Sequence, residues 1–187
     1  MQSALWLARH GETEWTLSRR HTGRTDLPLT PAGEAAAGDE LAPKLAGVTF
    51  DLVLSSPLRR ARDTARLAGF DPELDERLRE LDYGDYEGLT TAEIQRARPG
   101  WDLWTDGCPG GESVEDVGAR MDALIAERLR SAGERVLVFG HGHALRILTA
   151  QWLALPAREG RVFLLPPASV GVMGSEHGRP ALERWGV

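Results

Sequence analysis

The sequence has little of what marks secreted, membrane-bound or nucleic-acid-binding proteins. Its 187 residues include one cysteine, Cys108, which excludes an internal disulfide framework and fits a reducing compartment, so we expect a cytoplasmic protein. No apolar run is long enough to cross a bilayer, and the short apolar stretch near the amino terminus lacks the basic flank of a signal peptide. The net charge is −6 and the Lys and Arg residues are dispersed, which argues against general nucleic-acid binding.

The clearest local feature is an apolar segment that stops at three polar or flexible residues. Residues 5–8 have the pattern of a buried strand, and Arg9, His10 and Gly11 follow at once. Open α/β folds bind ligands at the carboxyl edge of the sheet, so this turn places a cation and a nucleophile where a ligand is expected. One Arg-His pair is weak evidence, because such residues are more often ordinary surface or core residues.

Strand-like and helix-like segments alternate along the rest of the chain. Residues 14–26 show no period and are predicted to be a loop. Apolar runs predict strands at 50–55 and 135–140, and short strands at 161–165 and 170–173. Helical spacing and capping residues predict helices at 30–45, from 56 onward, at 90–98, from 113 to just before 133, and at 144–153.

This alternation predicts an α/β fold. We expect a three-layer α/β/α sandwich around a mostly parallel sheet, with an antiparallel strand at one edge. No linker or charge block divides residues 1–187, so one domain is expected. Glycine and proline interrupt the pattern at about 71–112, which predicts a lid-like excursion from the sheet.

A second His-Gly pair, His141-Gly142, follows the strand predicted at 135–140. Because parallel strands share a direction, His10 and His141 are expected to meet at one edge of the sheet. Two histidines with nearby arginines suit phosphoryl transfer, in which a neutral imidazole attacks phosphorus and cations stabilise the phosphoryl oxygens.

The same residues give little support to a metal or a nucleotide cofactor. No carboxylate set accompanies the two histidines, and no Cys or His pair has zinc-site spacing, so we expect no metal. Gly140 and Gly142 lack the third glycine of a dinucleotide-binding loop. We therefore expect an enzyme without a cofactor.

Four segments resemble the motifs of the histidine phosphatase superfamily, also called phosphoglycerate-mutase-like, and they follow the family's order. They are 9–15 (RHGETEW), 56–65 (SPLRRARDTA), 80–88 (ELDYGDYEG) and 138–142 (VFGHG). Together they span residues 9–142, most of the chain. The resemblance implies a metal-independent phosphomonoester hydrolase that works through a phosphohistidine.

The resemblance also implies a role for each catalytic residue. His10 is the nucleophile that becomes phosphohistidine, and Arg9, Arg60 and His141 complete the phosphate pocket. The family spacing Ser-Pro-Leu-x-Arg-Ala selects Arg60 over Arg59. The two side chains point about 100° apart on a helix, so Arg59 is expected to be solvated.

Glu80 is the implied proton donor to the leaving oxygen. Asp82, Asp85 and Glu87 lie in the same segment and stay open as alternatives, since each carboxylate is also typical of an ordinary surface. We favour Glu80 among the four.

Departures from the family's pattern bear on the substrate. The segment after the glutamate motif is short where the mutases carry a long insertion, which favours hydrolysis over transfer. The motifs are most similar to sedoheptulose-bisphosphatase-type and acid-phosphatase-type members, which implies a sugar phosphate. The predicted substrate-binding residues are Thr16, Thr22, Gly23, Arg24, Tyr83, Trp104, Gly142 and His143.

Several of these residues carry two interpretations. Thr16 stands where many relatives have asparagine, and His21 where an aromatic residue is common. Trp101 and Trp104 either shape a lid over a sugar or pack a small satellite core. His143 and Arg24 either bind a second phosphate or hydroxyl groups, or are an ordinary helix-start histidine and an exposed arginine.

Three other functions stay open: a phosphoglycerate mutase, a broad acid phosphatase without one dedicated substrate, and a non-catalytic module that binds phosphorylated ligands. The expected partner is a small phosphorylated metabolite, not a nucleic acid or a membrane. The sequence does not fix the oligomeric state, and a homodimer stays open.

Overall fold

A six-stranded sheet forms the centre of the computed structural model, which describes residues 4–187. The strands are β1 (Ala4–Arg9), β2 (Leu52–Ser55), β3 (Glu73–Leu74), β4 (Arg135–Gly140), β5 (Val170–Glu176) and β6 (Arg179–Trp185), in the spatial order β3-β2-β4-β1-β5-β6. The strands β1, β2, β3 and β4 pair in parallel. The α/β fold with a mostly parallel sheet is therefore confirmed.

Antiparallel pairing lies at one edge of the sheet, as predicted, and it involves two strands. β5 pairs antiparallel with β1 on one side and with the edge strand β6 on the other. The prediction missed β6 because an exposed edge strand carries little apolar periodicity and this one contains Pro180.

The strand predicted at 161–165 is also wrong. That segment lies after and partly within a 3₁₀ turn, Ala157–Val162, and it leads into Pro166-Pro167, which have no N–H to donate to a sheet. The side chains of Val162 and Leu164 are 63% and 70% exposed, so the apolar run does not belong to the core.

Eight α-helical segments surround the sheet in the described residues. They are α1 (Glu14–Leu17), α2 (Pro31–Ala35), α3 (Ala42–Leu45), α4 (Arg59–Leu67), α5 (Thr91–Ala97), α6 (Leu103–Asp106), α7 (Val114–Leu124) and α8 (Gly142–Trp152). π-helical turns at Ala36–Leu41 and Ile125–Leu129 join α2 to α3 and extend α7, so these helices match the predicted ones.

Side-chain hydrogen bonds account for where several helices begin. The Thr30 hydroxyl caps α2, and Ser113 and Asp116 form a capping box at α7, as predicted. The predicted loop at 14–26 contains a short helix, α1, because Thr13 and Thr16 cap it reciprocally. A four-residue helix is too short to show apolar periodicity.

Alternate residues of β1 build the two core layers. Leu5 and Leu7 pack with the α7 and α8 side, whereas Trp6 and Ala8 pack with the side formed by α3 and α4. The sheet is thus covered by helices on both faces. None of the helices in residues 4–187 has the length and apolarity needed to span a membrane.

The register of the central strands fixes the place of the site. Arg9 is paired with Gly140, so the residues that follow, His10 and His141, leave the sheet side by side. Ser55 is paired with Phe139, so Ser56 and the following α4 start at the same edge. The described part of 71–112 contains only short helices and 3₁₀ turns beyond β3. Its role as a lid stays a prediction.

Candidate active site

His10 and His141 meet at this edge of the sheet, with ring centroids 5.1 Å apart. Both rings are buried; His10 is 5% and His141 0% exposed. The turn after His10 requires glycine, because a Cβ on Gly11 would lie 2.5 Å from the carbonyl oxygen of Gly33. The Gly11 N–H donates to the Thr64 hydroxyl at 3.0 Å, which ties the turn to α4.

The hydrogen bond of His10 selects one tautomer. Its Nδ1 lies 2.7 Å from the carbonyl oxygen of Gly11. A carbonyl can only accept, so Nδ1 carries the proton and the neutral ring keeps a lone pair on Nε2. Burial, followed by the charges of Arg60 and Arg9, lowers the pKa of His10 well below 6.5, although the Gly11 carbonyl opposes the shift. The imidazole is therefore a neutral base at pH 7.

Both ring nitrogens of His141 are occupied. Its Nδ1 accepts from Nε of Arg60 at 3.1 Å, so the proton of the neutral ring is on Nε2, which donates to the Ser56 hydroxyl at 2.8 Å. Burial and then the charge of Arg60 lower the pKa of His141 well below 6.5. This pair holds the ring beside His10.

Arg60 is fully buried and binds the loop that precedes α2. Its terminal nitrogens donate to the carbonyl oxygens of Thr22, Gly23 and Thr25 at 3.1, 3.0 and 2.9 Å. The neighbouring Arg59 is exposed and pairs with Asp63 at 3.0 Å. The two arginines of α4 thus point in different directions, as helical geometry requires.

Arg9 offers an unused donor at the site. One terminal nitrogen donates to the Leu165 carbonyl at 2.6 Å, whereas the buried Nε has no hydrogen-bond partner in residues 4–187. The guanidinium lies against Gly142, where an added Cβ would be 3.2 Å from its central carbon. An unpaired buried donor is costly, and an anion beside it would recover that cost.

Glu80 is held by backbone donors at the start of α8. Its Oε1 accepts from Leu81 and Ala144 at 2.9 and 2.8 Å, and its Oε2 accepts from His143 at 3.0 Å. Oε1 has two donors and Oε2 only one, so the open position for a proton is on Oε2.

Arg120 and Glu112 hold the chain on both sides of Glu80. Arg120 donates to the carbonyl oxygens of Arg77, Arg79 and Glu80, and its Nε pairs with Glu112 at 2.9 Å. Glu112 in turn accepts from the Asp82 N–H at 2.9 Å. The glutamate motif is thereby fixed against α7.

A cavity of about 260 Å³ opens beside His10. Its volume lies below the roughly 300–1,000 Å³ of pockets for drug-sized ligands, so it fits a small molecule. In the described chain its wall contains one carboxylate, that of Glu80. The lining residues are Arg9, His10, Trp15, Thr16, Arg19, Arg20, His21, Thr22, Glu80, Tyr83, Gly142, His143 and Arg146.

The other three carboxylates of the glutamate motif lie away from this cavity. Glu87 accepts from the N–H groups of Gly23 and Thr25, and Asp82 pairs with Arg24 at 2.5 Å. Asp85 is exposed. This placement distinguishes Glu80 from its three neighbours.

The structure brings five of the eight predicted substrate-binding residues to the cavity: Thr16, Thr22, Tyr83, Gly142 and His143. Gly23 and Arg24 line a neighbouring cavity on the other side of Glu80. Trp104 lines a third cavity, which shares His21 and His143 with the first. Binding roles for these three residues stay predictions.

Two aromatic residues of the glycine-rich segment are anchored by the fold. Trp101 is 2% exposed, donates to the Gly107 carbonyl at 2.9 Å and packs in the core layer on the α7 and α8 side, although it also lines the third cavity. Tyr83 is buried, and burial raises its pKa well above 10. Its hydroxyl therefore stays protonated, and it is hydrogen-bonded to Nδ1 of His143 at 2.6 Å.

Sequence reasoning missed four residues on the cavity wall: Trp15, Arg19, Arg20 and Arg146. Arg146 could have been found, because it lies four residues after Gly142 on α8 and so shares its face. The Arg19-Arg20 pair lies in a segment without periodicity, and nothing in the sequence shows which way its side chains point.

Burial of neutral histidines predicts a loss of stability on acidification. Burial is the main cause that lowers the pKa values of His10, His141 and His143 well below 6.5. Below about pH 6.5 the unfolded chain binds protons at these three positions and the folded chain does not. The free energy of unfolding therefore decreases as the pH is lowered, by up to about 4 kcal/mol per pH unit for the three histidines together. Urea unfolding followed by tryptophan fluorescence at about pH 7.5 and 5.5 measures this loss. Equal stability at both pH values would contradict it.

Comparison with known proteins agrees with this geometry. The model of the histidine phosphatase superfamily (branch 1) matches residues 5–187. An acid phosphatase of Mycobacterium tuberculosis is 46% identical over 179 residues, which cover 93% of this chain and 87% of that protein. Sedoheptulose 1,7-bisphosphatase of Saccharomyces cerevisiae is 37% identical over 182 residues, which cover 80% of this chain and 67% of that protein.

A solved structure extends the likeness to three dimensions. Mycobacterial glucosyl-3-phosphoglycerate phosphatase in complex with VO3 has a TM-score of 0.88 and 33% identity, with 98% of each chain covered. The family model and the acid phosphatase relative both span nearly the whole chain. This chain therefore belongs to the histidine phosphatase superfamily and is a phosphatase.

Proposed function

We propose that this phosphatase hydrolyses small phosphorylated metabolites, in particular sugar phosphates, through a covalent phosphohistidine at Nε2 of His10 and without a metal ion. One observation carries the proposal: the Nδ1–H of a buried, neutral His10 is bound to the Gly11 carbonyl, so the lone pair of Nε2 is available on the wall of a cationic cavity. A neutral imidazole in this tautomer is the form that attacks phosphorus.

In the first step, the lone pair of Nε2 forms a bond to phosphorus and the ester P–O bond breaks. The leaving oxygen takes a proton from Oε2 of Glu80, which becomes a carboxylate. Charge on the phosphoryl oxygens is stabilised by Arg9, whose unpaired Nε is part of this site. The ring of His10 becomes cationic as the N–P bond forms, and the Gly11 carbonyl stabilises the Nδ1–H.

In the second step, water attacks the phosphorus and gives a proton to the Glu80 carboxylate. The P–N bond breaks, inorganic phosphate leaves, and Nε2 recovers its lone pair. The three backbone N–H groups on Glu80 hold it in place through both steps. Arg60 and His141 do not line the cavity; they act by placing the ring and the charge beside His10.

A sugar phosphate is supported by the polar groups on the wall and by relatives. The polar side chains of Thr16, Thr22 and His143 are suited to hydroxyl groups, and two of the relatives are named for sugar-derived phosphates. The small cavity favours a compact substrate.

A panel of sugar phosphates tests this proposal by measuring released phosphate with and without EDTA. We expect at least one sugar phosphate to exceed p-nitrophenyl phosphate in kcat/KM by about tenfold or more, with no loss of rate in EDTA. Uniform weak rates would indicate a broad acid phosphatase instead. Transfer of the phosphoryl group between carbons of one substrate, without its release, would indicate a mutase.

A further inference from the structure

Arg19 has an unusual backbone at the cavity wall. It adopts φ = 55°, a left-handed conformation that a non-glycine residue rarely takes. Its N–H donates to the Thr16 carbonyl at 3.2 Å, and the N–H of Arg20 donates to the Trp15 carbonyl at 2.8 Å. These two bonds close the turn that follows α1. Strain of this kind persists where the surrounding structure fixes it and is concentrated at ligand sites.

The side chain of Arg19 differs from the other arginines of the wall in having no partner. Arg20 donates to the Gly88 carbonyl and pairs with Glu93 at 3.3 Å. Arg146 donates to the carbonyl oxygens of Gly160 and Arg161 and stacks on Trp104 at 4.6 Å. Arg19 is exposed, and within residues 4–187 its side chain makes no hydrogen bond or ion pair.

The cavity wall carries more positive charge than one phosphoryl group requires. Its charged residues are Arg9, Arg19, Arg20, Arg146 and Glu80, on a chain whose net charge is −6. Arg20 is neutralised by Glu93, and in the proposed first step Glu80 is protonated. Arg9 serves the transferred phosphoryl group, which leaves Arg19 and Arg146 without an anion.

We infer that the substrate carries a second anionic group, a phosphate or a carboxylate, which binds Arg19 on the cavity wall that also carries Arg146. This inference rests on the proposed function, since it concerns the part of the substrate that is not transferred. Guanidinium groups bind either anion through paired N–H donors. A second phosphate and a carboxylate share this chemistry, and the experiment separates them.

Three substrates that share a three-carbon chain test the inference: propyl phosphate, 3-(phosphonooxy)propanoate and propane-1,3-diyl bisphosphate. We expect wild-type kcat/KM to be higher for one or both of the substrates with a second anion. Arg19→Asn removes the charge with a residue that tolerates the left-handed backbone. It is expected to lower the ratio of kcat/KM for the preferred substrate to that for propyl phosphate by about fivefold.

Two further variants serve as controls. Arg19→Lys keeps the charge and is expected to recover most of the ratio. Arg66→Gln removes one charge from the exposed face of α4, away from the cavities, and is expected to leave the ratio unchanged. A fall of the ratio in Arg66→Gln equal to that in Arg19→Asn would show a general effect of net charge and overturn the inference.

The outcomes for the inference and for the proposed function are distinct. Equal wild-type kcat/KM for the three substrates, or an unchanged ratio in Arg19→Asn, would overturn the second-anion site and leave the phosphohistidine mechanism in place. Absence of phosphate release by the wild type from these substrates and from p-nitrophenyl phosphate would overturn the proposed function itself.

Discussion

Replacement of His10 by alanine is expected to lower the rate of phosphate release by at least about 10⁴-fold. The reason is that the proposed covalent intermediate forms on Nε2 of His10, whose lone pair stays available because Nδ1 is bound to the Gly11 carbonyl. His143 and His21 also line the cavity, but Nδ1 of His143 is hydrogen-bonded to the Tyr83 hydroxyl at 2.6 Å and Nε2 of His21 lies 3.3 Å from the Thr91 hydroxyl. His141 has both nitrogens engaged, by Arg60 and Ser56.

Trapping of the intermediate gives this prediction a direct readout. Wild-type protein quenched in alkali during turnover of ³²P-labelled substrate is expected to retain label that acid releases, as phosphohistidine does, and His10→Ala is expected to retain none. His10→Asn, which keeps a polar side chain in the buried position, controls for loss of packing. Robust turnover by both variants, with melting temperatures near that of the wild type, would contradict the assignment of His10.

The placement of the two histidines was predictable from the sequence because it depends on short-range signals. Leu5 to Ala8 and Val136 to Phe139 are apolar runs of strand length, and each leads after one residue into a His-Gly pair. Parallel pairing then requires only that consecutive strands run in one direction, which helical connections enforce. These two facts place both strand ends at one edge of the sheet, and the structure adds the register that pairs Arg9 with Gly140.

The choice among four carboxylates could not be made from the residues alone. Glu80, Asp82, Asp85 and Glu87 lie in a glycine-punctuated segment whose path depends on contacts with distant residues, above all the clamp of Arg120 on the carbonyl groups before Glu80. Those contacts join residues about forty positions apart, and no periodic pattern in the sequence reveals them. The family resemblance selected Glu80, and the structure supplies the physical reason.

The free arginine at the cavity wall illustrates a different limit. Arg19 adopts a left-handed backbone because it ends a four-residue helix, and neither the helix nor its end shows a pattern in the sequence. The direction of an exposed side chain follows from such local geometry. Specificity determinants that come from irregular segments therefore become visible only in three dimensions.

Glu80→Gln is expected to slow the first chemical step by an amount that depends on the leaving group, and to slow the second step with every substrate. An alkyl phosphate needs a proton on its leaving oxygen, so its first step is expected to slow by about 10²- to 10⁴-fold. p-Nitrophenolate leaves without a proton, so phosphorylation of His10 by p-nitrophenyl phosphate is expected to stay fast. Hydrolysis of the phosphohistidine still needs a base, so the phosphoenzyme accumulates. Stopped-flow absorbance is expected to show a burst of about one nitrophenolate per active site, followed by slow turnover.

The burst distinguishes a proton donor from a residue that only shapes the site. Glutamine keeps an oxygen for the N–H groups of Leu81 and Ala144 but turns its amide toward the His143 N–H, so one of three hydrogen bonds is lost. That structural loss alone would weaken both steps with every substrate and give no burst. Asp85→Asn changes an exposed carboxylate of the same segment that does not line the cavity, and wild-type kinetics are expected for it. A uniform loss in Glu80→Gln with all leaving groups would mean that another group carries the proton.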